Sequence, residues 1–315
     1  MKIVVLDGFT SNPGDLSWDG LIQLGETKIY DRTNRDQILP RCKSADIIIT
    51  NKTKLDGKIL KKLPKLKYIG LLATGYDVVD IICAKERNIT VCNVPDYSSS
   101  SVAQTVFALI MAHTNRVCEH GQGIVKWSDS LDFTYSDYKL IELSGKTIGI
   151  IGFGNIGKKV AKIAGAFDMK ILVSTRTKPD VLPNDIELVS IDAICRESDV
   201  ITLHCPLTDK TFGLINEKSI GSMKKNAIIV NTARGALVNE TDLYVALESK
   251  KIYGAALDVL TEEPPDKNNP LLKAKNAYIT PHNAWASYES RQRLIEAVIK
   301  NLNSFIKGKP VNIVK

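Results

Sequence analysis

Short runs of β-branched residues alternate with helix-length amphipathic stretches along nearly all of this chain, and that rhythm leaves few folds open. KIVVL (2–6), DIIIT (46–50), KYIGLL (67–72) and ITVCNV (89–94) read as buried strands, with Gly, Pro or Asn at their flanks. Intervening segments such as LDGKILKKL (55–63) carry helical spacing. Strands that are apolar on both faces need helices over both, which is the parallel α/β arrangement. A second series begins near Lys146: KTIGIIGFG (146–154), MKILVS (169–174), DVITLH (199–204), AIIVNTA (227–233), YGAALDV (253–259) and AYITPH (277–282). A long helical pattern from Ser100 to about Val117 separates the two series, and another from about Ser287 to Ile306 follows the last strand. With 315 residues the chain has length for two domains, one per series.

Composition removes several classes of function. At 44% hydrophobic and 24% charged, the chain can build a core without disulfides or metals. Its cysteines (Cys42, Cys83, Cys92, Cys118, Cys195 and Cys205) form no C-x-x-C pair and have no matching histidine spacing. They read as small hydrophobes, and no metal site is expected. The net charge of +7 includes a cluster at Lys58, Lys61, Lys62, Lys65 and Lys67, but no aromatic residues interleave it. That reads as a solvated surface attractive to anionic ligands, not a nucleic-acid site. The N-terminus lacks the apolar run of a signal peptide. The most apolar helical stretch, Val102 to Ala112, is broken by Gln104 and Thr105 and is too short to span a bilayer. The cytoplasm is the expected compartment.

Gly152-Phe153-Gly154-Asn155-Ile156-Gly157 matches G-x-G-x-x-G, with a strand pattern before it and a helix pattern after it. In that setting the first two glycines permit a tight turn and close approach of a pyrophosphate. The third permits helix–strand packing, and the helix start offers N–H groups to the phosphates. An acidic residue about 20 positions on would hold the ribose 2′-hydroxyl of NAD. The chain has Ser174-Thr175-Arg176-Thr177-Lys178 instead. Hydroxyls beside cations suit a 2′-phosphate, so NADP is favoured over NAD.

Two further strand ends carry reactive side chains. Arg234 follows AIIVNTA, where a planar guanidinium can grip a carboxylate and a neighbouring keto oxygen together. His282 follows AYITP, and reduction of a ketone needs a proton donor at oxygen, for which histidine serves near neutral pH. An acidic partner would keep that histidine charged, and Glu262 and Glu263 are both candidates.

Taken together these residues resemble the D-isomer-specific 2-hydroxyacid dehydrogenase family. The resemblance rests on Ala73-Thr74-Gly75-Tyr76-Asp77, Gly152 to Gly157, His204-Cys205-Pro206-Leu207-Thr208, Thr232-Ala233-Arg234-Gly235, Leu257-Asp258-Val259, Glu263-Pro264 and Pro281-His282, in order along nearly the whole chain. Asn93 to Ser98, Val102-Ala103-Gln104 and Thr280 to Ala286 are similar to the glycerate dehydrogenase (hydroxypyruvate reductase) branch. Asp96 and Asn283 depart from that branch, in which glycine and isoleucine are expected.

The resemblance implies a fold and a set of roles. The fold would be two Rossmann-like doubly wound parallel-sheet domains. A discontinuous catalytic domain (1–98 and 287–315) would close over a cofactor domain (99–286). Arg234 would bind substrate, His282 would be the acid–base, and Glu263 its partner. Lys52 and the amides of Thr74 and Gly75 would add substrate contacts. Gly152, Gly154, Asn155, Ile156, Gly157, Ser174, Thr175, Arg176, His204, Cys205, Pro206, Thr208, Thr232, Ala233 and Asp258 would line the cofactor. The implied reaction is reduction of hydroxypyruvate or glyoxylate to the D-2-hydroxy acid by a homodimer. The same site on another 2-keto acid or on D-3-phosphoglycerate is an alternative, as is a cofactor-sensing binding protein.

Overall fold

The computed structural model describes residues 1–177, 179 and 181–314. The chain forms two compact units, Ser99–Trp285 and a discontinuous one made of Met1–Ser98 with the segment from Ala286 onward.

The discontinuous unit is built on a parallel sheet of order β2-β1-β3-β4-β5. Its strands are β1 (Lys2–Val5), β2 (Glu26–Ile29), β3 (Ile47–Thr50), β4 (Tyr68–Leu71) and β5 (Thr90–Cys92). Ile47, Ile48 and Ile49 are all buried, as a central strand covered on both faces requires. The helix Tyr288–Ile306 joins this unit and starts where the Ser287 hydroxyl accepts from the Ser290 amide. It buries Leu294, Ile295, Val298 and Leu302 along one stripe, and the Phe305 ring lies 4.8 Å from that of Tyr68 on β4. β2 has no counterpart among the sequence expectations. It is an edge strand, ETKI, half of it facing solvent, so no apolar run announces it. The expected helix over 55–63 is regular only at Gly57–Leu60.

The second unit carries a seven-stranded parallel sheet of order β12-β11-β10-β9-β6-β7-β8. Its strands are β6 (Thr147–Ile151), β7 (Lys170–Ser174), β8 (Ile186–Leu188), β9 (Val200–Leu203), β10 (Ile228–Asn231), β11 (Gly254–Leu257) and β12 (Ala277–Ile279). Successive strand residues feed opposite faces: Ile229 joins a core with Ile201, Leu203 and Leu243, while Ile228 and Val230 join one with Ile148, Ile150 and Val160. Truncating Ile229 to alanine inside such packing costs about 2–5 kcal/mol. The helix Ser99–Asn115 supplies Ala103, Val106, Phe107 and Ile110 to the second of these cores. It ends because Arg116 turns left-handed (φ 51°), two residues before the expected end.

Chain order reverses at the β6–β9 junction, since β7 and β8 run outward on one side and β10, β11 and β12 on the other. Loops at the carboxyl ends of strands part there and leave a crevice. Among the described residues, no helix is long and apolar enough to cross a membrane.

Candidate active site

The glycine-rich turn sits at this reversal point, and its three glycines answer to different neighbours. Gly152 has φ +100°, and a Cβ there would stand 2.5 Å from the His204 carbonyl carbon and 2.6 Å from the Cys205 nitrogen. A Cβ on Gly157 would meet the Gly152 carbonyl oxygen at 2.2 Å. Gly154 is different, because a Cβ there would find nothing within 4 Å among the described residues. No atom of the described residues demands glycine at that position, whereas a closely approaching ligand would. The helix Asn155–Ala166 begins at the next residue and turns its unpaired N–H groups toward the same turn. The Thr232 hydroxyl oxygen, after β10, is buried without a hydrogen-bond partner among the described residues. A nicotinamide dinucleotide fits these features.

Of the remaining cofactor candidates, Ser174 and His204 are tied by backbone hydrogen bonds to the turn and to the strand before it. Ser174 closes β7, and its carbonyl accepts the Gly152 N–H at 2.8 Å. Thr175 is half-buried and Arg176 exposed; Lys178, the other cation expected there, lies outside the described residues. The His204 amide donates to the Ile151 carbonyl at 2.7 Å, and its ring Nε2 is 2.9 Å from the Thr202 hydroxyl. Burial pushes the His204 imidazole down to about 3, so it is neutral. Burial raises the neighbouring Cys205 thiol, which is therefore protonated at neutral pH. Thr211 closes the exposed turn beyond, its hydroxyl donating to the Pro206 carbonyl at 2.7 Å and accepting the Thr208 amide at 2.8 Å.

Past the end of β10, the Asn231 side chain clamps the next turn from both sides. Its carbonyl accepts the Ala233 amide at 3.0 Å and its amide donates to the Arg234 carbonyl at 2.8 Å. Arg234 is left exposed, with Nη1 2.7 Å from the Ala233 carbonyl. Gly235 follows, and a Cβ on it would sit 1.9 Å from the Leu260 carbonyl carbon. The arginine turn and the turn after β11 are therefore in backbone contact. The Leu260 amide in turn donates to Glu263 Oε1 at 3.1 Å, while Glu263 Oε2 lies 2.5 Å from His282 Nδ1. Leu260 thus links the arginine turn to the Glu263–His282 pair. Glu262 is exposed and has no hydrogen bond or ion pair among the described residues.

His282 has φ +51°, a conformation that a non-glycine residue holds only when its surroundings enforce it. Its amide donates to the Asp258 carbonyl at 2.8 Å, and its carbonyl accepts the Trp285 indole N–H at 2.9 Å. The buried Asp258 carboxylate accepts the Thr280 hydroxyl (2.6 Å) and the amides of Asn283 (3.0 Å) and Ala284 (2.9 Å). Burial raises the Asp258 carboxyl, while these hydrogen bonds and the nearby imidazole pull it back. Sequence reasoning did not single out Asn231, Thr280 or Trp285 for such work. Each acts through backbone groups of a turn whose shape the local pattern does not specify.

The other unit repeats the device. Asp7, just past β1, accepts the Thr50 hydroxyl (2.9 Å) and the amides of Asn51 (2.8 Å), Lys52 (2.6 Å) and Thr53 (2.8 Å). This fixes the turn that presents Lys52, whose side chain is exposed. The Thr74 hydroxyl donates to the Val94 carbonyl at 2.8 Å, and the Thr74 carbonyl accepts the Asn93 side-chain amide at 2.6 Å, with the half-buried Gly75 next in the chain. Among the described residues, no group of three His, Cys, Asp or Glu side chains is placed to hold a metal ion.

Comparison with known proteins identifies the family. The family model for the D-isomer specific 2-hydroxyacid dehydrogenase NAD binding domain matches residues 107–284. A hydroxypyruvate reductase of Blautia hydrogenotrophica is 47% identical over 100% of this chain and 99% of its own. A glycerate dehydrogenase of Methylorubrum extorquens is 41% identical over 92% of each chain. Among solved structures, an acyclic imino acid reductase in complex with NADPH and D-Arg superposes with a TM-score of 0.88 at 34% identity, covering all of both chains. The chain belongs to the D-isomer specific 2-hydroxyacid dehydrogenase family of nicotinamide-dependent oxidoreductases.

Proposed function

We propose that the chain reduces hydroxypyruvate or glyoxylate to the D-2-hydroxy acid, with Arg234 binding substrate and His282 and Glu263 acting as the acid–base pair. The names of its relatives support reduction of a 2-keto acid. The observation that carries the assignment of roles is the 2.5 Å contact between Glu263 Oε2 and His282 Nδ1. A carboxylate there holds the proton on Nδ1 and stabilises the imidazolium, which directs Nε2–H at the substrate oxygen. Arg234 spans the carboxylate and the keto oxygen, drawing electron density from the carbonyl carbon. A nicotinamide held along the Gly152–Gly157 turn would supply the hydride for that carbon. His282 then releases its Nε2 proton to the developing alkoxide and remains neutral, its Nδ1–H still on Glu263. For oxidation the same nitrogen takes the hydroxyl proton. Lys52, Thr74 and Gly75 complete the proposed substrate contacts.

The turn at Gly152–Gly157 and the helix start at Asn155 and Ile156 would hold the pyrophosphate. His204, Cys205, Pro206, Thr208, Thr232, Ala233 and Asp258 would line the rest of the dinucleotide. No acid stands at the end of β7, and Ser174, Thr175 and Arg176 suit a ribose 2′-phosphate, so NADPH is the preferred reductant. A second copy of the chain would cover Val117, Ile124, Val125, Trp127, Leu131 and Phe133, which are exposed along one stretch of the second unit. A homodimer accounts for so much apolar surface.

A spectrophotometric screen of 2-keto acids with NADPH and NADH tests the reading. Turnover is expected with hydroxypyruvate or glyoxylate, and at higher kcat/KM with NADPH. Tight cofactor binding without turnover of any keto acid would leave a cofactor-sensing protein instead.

A further inference from the structure

We propose that Glu240 is a positioning residue for the Glu263–His282 pair, acting through the loop that it anchors at both ends. The inference rests on the acid–base role proposed above for that pair.

Glu240 opens the helix Glu240–Glu248, but it is not needed to cap it. The Asn239 side chain already accepts the amides of Thr241 and Asp242 at 3.1 and 3.2 Å. The Glu240 carboxylate reaches away from its own helix. Oε1 accepts the Thr261 amide at 2.6 Å and Oε2 accepts the Asn269 side-chain amide at 2.7 Å. The orientation of Asn269 is set independently, because its carbonyl oxygen takes the Leu271 amide at 3.0 Å. Its NH2 must therefore face Glu240.

Thr261 and Asn269 bracket the loop that carries Glu263. On its upstream side that loop also touches Gly235, where no side chain fits against Leu260. Glu263 keeps one oxygen on the Leu260 amide and the other on His282. Freeing the loop at Thr261 shifts the residue next to Leu260, and with it the carboxylate that aims the imidazole. A displacement of a fraction of an ångström at an acid–base pair is enough to slow proton transfer.

The chemistry of the contact makes it testable by a nearly isosteric change. Both partners of Glu240 are donors, so only a group with two acceptor oxygens satisfies both. In Glu240→Gln, one oxygen becomes an NH2 that faces either the Thr261 N–H or the Asn269 NH2. Adding Asn269→Asp reverses the polarity of the second contact. The glutamine NH2 then donates to the new carboxylate while its carbonyl takes Thr261, and the carboxylate at 269 still accepts Leu271.

Four proteins are compared with the parent in steady-state reduction at saturating NADPH: Glu240→Gln, Asn269→Ala, the double variant Glu240→Gln/Asn269→Asp, and Glu263→Gln. Glu240→Gln is expected to lose about tenfold in kcat with little change in KM, and the double variant to recover most of it. Asn269→Ala, which keeps the Thr261 tie, is expected to lose less. The high-pH fall-off of reduction should move in the same direction in Glu240→Gln as in Glu263→Gln, a shift that simple loss of stability does not produce. Parental kcat in Glu240→Gln beside a slow Glu263→Gln overturns this inference and leaves the acid–base assignment standing. A slow Glu240→Gln that the second substitution does not rescue also overturns it. If Glu240→Gln does not fold, Asn269→Ala decides, and an unchanged kcat and pH profile there overturn the inference. Parental kcat in Glu263→Gln itself removes the acid–base assignment.

Discussion

The third glycine of the dinucleotide turn packs against the first: a methyl group on Gly157 would stand 2.2 Å from the carbonyl oxygen of Gly152. No rotamer relieves a clash between a Cβ and backbone, so the turn and the helix start must separate. Gly154, where a methyl group would meet nothing within 4 Å among the described residues, has no such constraint from them. Gly157→Ala is therefore expected to lower stability by about 1–3 kcal/mol and to weaken cofactor binding with it. Gly154→Ala should melt like the parent and bind NADPH more weakly. Thermal melts and fluorescence titration separate the two. Equal melting temperatures for parent and Gly157→Ala would contradict the packing argument, and parental NADPH affinity in Gly154→Ala would remove the ligand from the open space.

Adjacent glutamates give a local control for the acid–base assignment. Glu263 contacts His282 Nδ1, whereas Glu262 points into solvent. Glu263→Gln should lower kcat for reduction by about 100-fold or more, since an amide neither stabilises the imidazolium nor fixes the tautomer. Removing that negative charge should also bring the high-pH loss of reduction to lower pH. Glu262→Gln should match the parent in both rate and profile. The reverse pattern would mean that the pairing seen here is not the one used in turnover.

Arg234 offers a different kind of test, because charge and shape can be separated. Its turn is held by Asn231 and Gly235, so a lysine at 234 would start from the same backbone. It would keep the charge and lose the planar fork. A charge-assisted hydrogen bond contributes about 1.5–3 kcal/mol, so kcat/KM should fall roughly 10- to 100-fold, through KM and kcat together. A change confined to KM would show a point-charge anchor with no part in polarising the carbonyl.

The sequence announces the strands that sit inside the sheets, and the edge strands Thr90–Cys92 and Ala277–Ile279 with them, but hides the edge strands that lack an apolar run. Ile47–Thr50 is buried throughout and reads as a strand on composition alone. Glu26–Ile29 and Ile186–Leu188 each border a sheet, are partly solvated, and lack an apolar run. Apolar patterns also overrun the strand ends, for a related reason. AYITPH runs on to residue 282, but pairing stops at Ile279, and Thr280 to Ala284 form a turn gathered by Asp258. Nothing in the local pattern marks where pairing stops, and only a carboxylate distant in sequence gives the turn its shape. Asp96 illustrates the converse: at a position where the resemblance implies glycine, it adopts φ +60°, a backbone demand that the residue itself does not declare. Spacing does not choose between Glu262 and Glu263, because neighbours along a loop differ only in which way the loop turns. Glu240 is out of reach for the same reason, its partners at 261 and 269 being brought to it only by the fold.

A histidine outside the site makes the second unit sensitive to acid. His113, on the helix Ser99–Asn115, is fully buried, its Nε2 2.9 Å from the Ala255 carbonyl and its Nδ1 unpartnered among the described residues. Burial lowers its pKa to about 4 from 6.5, helped by the nearby Arg116 and opposed by the Ala255 carbonyl and Glu119. The rings of Tyr253 and Tyr278 meet it edge-on. A depressed folded-state pKa means that the unfolded chain takes up the proton first as pH falls. Its stabilising contribution is therefore complete above about pH 6.5 and is lost progressively down to about pH 4, amounting to about 3 kcal/mol. Glutamine at 113 can still donate to the Ala255 carbonyl but cannot titrate. The urea midpoint of the His113→Gln protein should fall less steeply between pH 6.5 and 4 than that of the parent, whatever its absolute stability. His204, also depressed by burial, titrates over an overlapping range and remains in both proteins, so the difference between the two curves isolates His113. Parallel curves across that window would mean that His113 is not the group that couples acid to unfolding.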